Sequence, residues 1–267
     1  MRFFRDLGIM FVTEVKRYYR WKERILWDVL FALIAFFGFV LVWRAVIMGG
    51  FQGLGDLTPE NYITFLLSGS LIWVVISQGI GWHITFAFKE DKHRRVLPYI
   101  MLSPLNKIAY LYGKLGVGLL RTVISNLIII VIALFAFDFF YSGSIILTVL
   151  FFLLTFLAFS GIGLIIASLA AVREGIADFS FVLVQILYLL SGVYYPIEVF
   201  PESIRNVVVL LPTTQAIIAV RSIGLYGAGS LDIMPQIIYI GILAVIAPIL
   251  GYLTFRWVKN KAMLIGI

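Results

Sequence analysis

The residue types that do chemistry in proteins are sparse in this chain and poorly placed for it. Its 267 residues include two histidines, His83 and His93, and no cysteine. The two histidines stand far apart in sequence, without the several ligands a metal site requires. Without cysteine there is neither a disulfide nor a thiolate ligand. The Gly113–Lys114 pair is followed by Leu115 and lacks the upstream glycine of a phosphate-cradling G-x-x-x-x-G-K-[ST] loop. H-E-x-x-H and G-x-S-x-G are absent. The nearest pattern, "SGIG" from Ser160 to Gly163, is a small-residue stretch suited to close helix packing. No catalytic residue, metal site or enzyme activity is expected of this chain.

The chemistry that remains consists of polar groups isolated in apolar runs: Asp28, His83, Arg121, Asn126 and Gln185. Such groups are expensive in a bilayer and are functional candidates for that reason. Each also has a plainer reading. Asp28 and Arg44 can sit at headgroup level, and His83 lies near the cytosolic end of its run. Arg121 falls two turns after Lys114, on nearly the same helix face, and can snorkel inward. A proton relay would need several mid-membrane carboxylates, which these runs lack. An ion-coupled carrier and a membrane lipid enzyme are therefore the weaker readings.

The elements that carry these residues follow from composition. The sequence is 62% hydrophobic and 13% charged, with a mean hydropathy of +1.04. Soluble domains are about 45–50% apolar and about 25% charged. A polytopic membrane protein follows, and a bilayer admits helices because their backbone bonds close internally. A helical crossing needs roughly 20 mostly apolar residues. Six runs qualify: 25–47, 62–88, 115–137, a stretch within 139–172, 179–195 and 233–255. No repeat or linker divides them, so residues 1–267 read as one all-α transmembrane domain.

With the N-terminus inside, almost all lysines and arginines fall on the cytoplasmic side, and only Arg44, Arg205 and Arg221 fall outside. This asymmetry accounts for the net charge of +7 and points to the bilayer, not to nucleic acid, as the partner. The expected location is a cell membrane, multi-pass, with both termini cytoplasmic. The mixed apolar and basic N-terminus does not read as a cleavable signal.

Three segments do not span. In residues 1–24, Phe3, Phe4, Leu7, Phe11, Val15, Tyr18 and Tyr19 recur at helical spacing among charges, which predicts an interfacial amphipathic helix. Residues 89–107 form an inner connection within "FKEDKHRRVLPYIMLSPLNKIAYLYGKL". There Arg94 and Arg95 precede Leu97, Tyr99, Met101 and Leu102, followed by Ser103 and Pro104. A short helix with exposed apolar side chains needs cover, either another protein or the membrane face.

Residues 196–230 follow the fifth run on the outside. Within "SGVYYPIEVFPESIRNVVVLLPTT" at 191–214, Gly192 and Pro196 permit the preceding helix to end. Pro201 suits the first turn of a short helix whose apolar face is Ile204, Val207, Val208 and Leu211. Pro212 is expected to close that helix, and residues 213–225 to form a second one. The pair reads as two re-entrant helices dipping into the outer leaflet, with Glu198 at their wet edge. Together they would act as an external gate. The alternative is a helix resting on the membrane surface.

In their order along the chain these features resemble the membrane subunit of a type-2 ABC exporter. That class includes drug, lipid and polysaccharide export permeases. The resemblance rests on the amphipathic N-terminus, six spans, the inner Leu/Met-rich turn with Ser-Pro and a later Gly-Lys, "SGVYYPIEVFP" and "LLPTTQAIIAVRS". Many drug-type members carry Glu-x-x-x-Gly-Thr-Leu in the inner connection, where this chain places Arg95–Val96 at Gly-Thr. Polysaccharide-type members usually carry a Leu-Gly-x-x-Trp element, whose glycine is missing from "RYYRWKERILWDVL". The drug and lipid branch is closer, and lipid-linked polysaccharide is the alternative substrate.

The resemblance implies a second copy of the chain and two copies of a separate ATPase subunit, which binds ATP and Mg. No cofactor is expected on this chain. The ATPase would dock on Arg94, Arg95, Leu97, Tyr99, Met101, Leu102, Ser103 and Pro104, which form a coupling helix. Spans one, two and five would line the pathway with Phe31, Phe36, Trp73, Gln78, Gln185, Tyr188 and Tyr194. Lipid-facing or core positions are the alternative for these side chains.

Overall fold

A computed structural model describes residues 2–20, 61–82, 84–136, 141–173 and 175–265, with Leu26, Leu30, Ile34, Phe37, Val40 and Leu41. Every regular element among them is helical. The order begins with α1 (Arg2–Arg20), α2 (Tyr62–Ser77), a π turn (Gln78–Trp82), α3 (Ile84–His93) and α4 (Leu97–Leu102). It continues with α5 (Lys107–Ala136), α6 (Ile145–Val172) and α7 (Gly175–Leu190). After a 3-10 turn (Ile197–Val199) come α8 (Glu202–Val208), α9 (Pro212–Tyr226) and α10 (Met234–Ile265). Asp28, Phe31, Phe36, Arg44 and His83 lie outside the described residues.

Four stretches are long and apolar enough to cross a membrane: Tyr62–Ile80, Lys107–Phe135, Ile145–Ala170 and Met234–Asn260. Helices α8 and α9 pass that test only as a pair, bent by 87° at their break, which makes up to five. The expected fifth run, 179–195, is the 16-residue helix α7, shorter than the roughly 20 residues of a full crossing. It stops at Leu190 because Gly192 turns the chain through φ +69°, a left-handed conformation that a side chain resists. The expected first run lies mostly outside the described residues.

The helix boundaries follow local chemistry. The Ser144 hydroxyl oxygen caps α6 by accepting from the Leu147 N–H. Pro212 does not close α8, as the sequence suggests, but opens α9, where its missing N–H costs nothing. Gly227, at φ +63°, ends α9 in a left-handed cap.

Helix α2 is the centre of the bundle. In its most apolar window 89% is buried, against 22% for α10 at the edge. Leu66, Ile72 and Ile76 of α2 share a core with Phe159 of α6 and with Ala216, Ile217 and Val220 of α9. A second core lies at the end of the bundle that carries α1 and α4, where Tyr110 and Leu111 meet Leu164, Ala167 and Phe255. Met10 of α1 and Ile100 of α4 pack against it. Small residues set the approach between helices, since lipid tails offer little hydrophobic drive. A Cβ on Gly161 would fall 2.3 Å from the Pro248 nitrogen of α10.

Helix α1 differs from the simple apolar stripe read from its sequence. The side against α5 is mixed: Asp6 and Tyr18 are buried, and Phe3, Leu7, Met10, Glu14 and Arg17 are half-buried. Phe4, Phe11, Val12 and Tyr19 are exposed on one flank, and Arg5, Lys16 and Arg20 on another. The acidic and basic groups that interrupt the stripe are those that dock the helix.

Candidate functional site

At the end of the bundle that carries α4, three helices meet on one buried carboxylate. Asp91 of α3 accepts hydrogen bonds from Arg17 Nη1 of α1 at 2.8 Å and from Tyr110 Oη of α5 at 2.7 Å. It also pairs with Lys114 Nζ of α5 at 2.8 Å, and both side chains are 1% exposed. Lys114 Nζ donates to Glu14 Oε1 at 3.0 Å, and Arg17 reaches the same oxygen at 3.3 Å. Two cations thus face two anions. Such a cluster offsets its desolvation only while every member is present. Burial works against ionising Asp91. The charge and hydrogen bond of Lys114, with bonds from Tyr110 and Arg17, outweigh it and hold the carboxyl below the usual range.

The Gly-Lys pair that fails as a phosphate loop has its explanation here. A Cβ on Gly113 would lie 2.8 Å from Met10 Cβ, so the glycine lets α1 lie close on α5. The next residue, Lys114, then reaches both Glu14 and Asp91. Arg121 does not snorkel to water. It is buried with its guanidinium 4.8 Å from the Tyr18 ring centroid, a cation–π contact that ties α1 to α5 again.

This cluster carries the turn into α4. The Val96 N–H donates to the Asp91 carbonyl at 2.9 Å, and Arg95 takes φ +56°. Arg95 stands where drug-type exporters were expected to carry glycine, and it keeps a backbone conformation that glycine favours. A six-residue helix is too short to hold itself together in water. Lys107 Nζ secures the far end of α4, donating to the Ile100 and Ser103 carbonyls at 2.6 Å each. The Ser103 hydroxyl also donates to Ile100 O, and Asp6 accepts from the Asn106 N–H.

Of the expected docking set, Tyr99 is 75% and Leu102 80% exposed. Arg94, Arg95 and Pro104 are exposed beside them, with Arg94 paired to Glu90 at 2.7 Å. Ser103 is half-buried. Leu97 and Met101 belong to α4, but their side chains lie outside the described residues.

At the opposite end, the chain leaving α7 is bound to α9. The hydroxyls of Ser191 and Thr213 share a short hydrogen bond. The Val193 carbonyl accepts from Arg221 Nη2 at 2.6 Å. Gln215 Nε2 donates to Val209 O, and Tyr239 Oη of α10 donates to Leu210 O. Pro196 is buried, Pro212 is half-buried, and Glu198 and Pro201 are exposed. The expected apolar face of α8 is not its packed face. Val208 is buried and Leu211 half-buried, whereas Ile204 and Val207 are exposed. A two-turn helix presents only its C-terminal end to the bundle.

The expected pathway residues divide. Trp73, Tyr188 and Tyr194 form one aromatic cluster, with ring centroids 5.1 Å and 5.3 Å apart along the series. Gln78 is buried in the π turn, its Oε1 without a hydrogen-bond partner among the described residues. Gln185, one turn before Tyr188 on α7, is exposed. Sequence reasoning missed the roles of Glu14, Asp91, Lys107 and Tyr110, and placed Arg221 in the outer connection. The available signal was charge inside apolar context: Lys114 after a glycine, and Arg221 within "QAIIAVRSIGLY".

The chain is similar to known permeases. Inner membrane transport permease YadH of Escherichia coli K12 is 26% identical over 203 residues, 75% of this chain and 77% of its own. Probable multidrug ABC transporter permease YbhR of the same strain is 25% identical over 194 residues, 73% of this chain and 52% of its own. A family model described as ABC-2 type transporter matches residues 5–225. That match spans both α4 with its ion cluster and the bent pair α8–α9, and the chain belongs to the ABC-2 type transporter family, as a multi-pass membrane permease subunit.

Proposed function

We propose that this chain forms the transmembrane half of an ATP-driven exporter that moves an amphipathic drug or lipid-like substrate out of the cytoplasm. The observation that carries this reading is α4. Its exposed Tyr99 and Leu102, beside Arg94 and Arg95, are braced from behind by the Asp91 cluster and by Lys107. An apolar tip with a basic rim suits a groove with acidic edges on a separate ATPase. Motion imposed on α4 would pass through Asp91 to α1 and α5 together. ATP and Mg belong to that partner in this reading. Two copies of the chain pair over two ATPases, with six spans each and both termini cytoplasmic.

Helices α8 and α9, bent by 87°, are the re-entrant external gate. The multidrug name of YbhR supports a drug-like substrate. Lipid-linked polysaccharide is the second reading, favoured by the Trp73–Tyr188–Tyr194 cluster, since aromatic faces also stack on sugars. The test is co-purification with the ATPase encoded beside this chain. Tyr99→Asp with Leu102→Asp is expected to abolish the complex while the purified chain keeps its helical circular dichroism. A complex that survives both changes removes α4 as the docking site.

A further inference from the structure

The inner charges are mutually neutralised, but one charge at the outer end is not. Arg221 of α9 is 8% exposed. Its Nη2 donates to the neutral Val193 carbonyl, its guanidinium lies 3.5 Å from the Phe65 ring centroid, and its Nε has no hydrogen-bond partner. Among the described residues no carboxylate pairs with it. Glu198 attracts it electrostatically but is exposed and forms no ion pair. Helices α2, α5, α6, α9 and α10 contain no Asp or Glu. A buried cation held by one neutral acceptor is a costly arrangement, and in a membrane such a group marks a functional site.

The surroundings are built around this side chain. A Cβ on Gly69 of α2 would fall 2.9 Å from Arg221 Nη2 and 2.2 Å from the Val193 carbonyl, so only glycine leaves the slot open. Tyr194 follows Val193 directly, and Trp73 stands one turn beyond Gly69 on α2. The cation thus adjoins the Trp73–Tyr188–Tyr194 cluster, placing a charge beside an apolar aromatic surface. That pairing fits a molecule with an anionic head and an apolar body. A guanidinium fork binds carboxylate or phosphate with two parallel hydrogen bonds, which a lone carbonyl cannot offer.

We propose that Arg221 recognises the anionic head group, phosphate or carboxylate, of the exported amphiphile at the outer end of the pathway. The Val193 carbonyl holds the guanidinium while that end is closed. The proposal rests on the exporter reading and names its substrate class.

The test uses the full permease–ATPase complex in phosphatidylcholine vesicles. ATP hydrolysis is titrated with dodecyl phosphate and, separately, with dodecylphosphocholine, which carries the same tail and phosphate under a cationic cap. Native complex is expected to respond to dodecyl phosphate at lower concentration. Arg221→Gln is expected to raise its half-maximal concentration about 10- to 100-fold, the loss of a hydrogen bond to a charged group. Arg221→Lys, which keeps the charge without the fork, is expected to fall between them. Equal response of the native complex to both amphiphiles overturns the proposal. So does an undiminished preference in Arg221→Gln or, if that variant does not assemble, in Arg221→Lys. Inorganic phosphate acting as well as dodecyl phosphate would also overturn it, by assigning the site to a free anion. Failure of the exporter reading looks different: the native complex would not form or would hydrolyse no ATP before any amphiphile is added.

Discussion

Replacing Asp91 by Asn changes almost no volume but removes the charge on which three helices converge. Asp91 faces Arg17, Tyr110 and Lys114 at 2.7–2.8 Å, and it and Lys114 are each 1% exposed. Removing one partner of a buried pair costs about 3–5 kcal/mol, because the remaining charge stays out of water. Lys114 keeps Glu14 at 3.0 Å, so the lower end applies. The expected loss is about 3 kcal/mol, or about 100-fold in the equilibrium for folding. It is measured by reversible unfolding in mixed micelles as the fraction of denaturing detergent rises. A double-mutant cycle isolates the pair. Lys114→Met alone leaves Asp91 with Arg17 as its one remaining counter-charge in the cluster, while the double variant leaves neither charge of the pair, so the two costs should fall short of additive by about 2 kcal/mol. Additivity within about 0.5 kcal/mol would show that the ion cluster is not what binds α1, α3 and α5. The pH dependence is a second check. The cluster lowers the Asp91 pKa, so its stabilisation is complete above the unfolded carboxyl value of about 3.9 and is lost as pH falls through the lower folded value. The gap between native protein and Asp91→Asn is therefore flat from neutral pH to about 5 and closes only below about 4.

Arg95→Gly is expected to stabilise the chain. The left-handed backbone at φ +56° costs an L-residue about 1–2 kcal/mol, and glycine's greater freedom when unfolded returns about 0.5–1 kcal/mol of that. The net gain, about 0.5–1 kcal/mol, is read in the same unfolding assay, and a loss of stability would show that the Arg95 side chain makes contacts worth more than the strain. Glu202→Cys introduces the only thiol in a sequence that has none, and a membrane-impermeant maleimide is expected to label it from outside intact cells. Labelling only after the inner face is exposed would reverse the topology.

The long helices were legible because their signal is summed over many residues. Runs 62–88, 115–137, 139–172 and 233–255 each overlap a helix long enough to span, with displaced ends. The extension of α5 back to Lys107 is an example: its first turn is capped by Asn106 Oδ1, which accepts from the Ile108 N–H. The ion cluster was hidden because the members on α1 lie 74 to 100 positions from their partners, as in Arg17–Asp91 and Lys114–Glu14. Each looks like an ordinary interfacial charge until the helices are brought together. The orientation of α8 failed for a related reason. Helical periodicity identifies a face, but a two-turn helix at the rim has too few contacts for that face to decide its packing.

The two ends of the chain treat buried charge in opposite ways, and the contrast bears on how a cycle could be driven. At the end that carries α4, Asp91, Glu14, Arg17 and Lys114 cancel one another, so moving any of their helices alone would strand a charge in a dry interface. The cheapest motion there is a concerted one, with α1, α3 and α5 travelling as a body behind α4. At the opposite end Arg221 has a neutral carbonyl in place of a counter-ion among the described residues. Separating α9 from the chain leaving α7 breaks the Arg221–Val193 and Ser191–Thr213 hydrogen bonds, a smaller cost than breaking an ion cluster, and an arriving anion would offset it. An input that moves the inner end rigidly would therefore meet its least resistance at the Arg221–Val193 contact, where opening and the capture of an acidic head group become the same event.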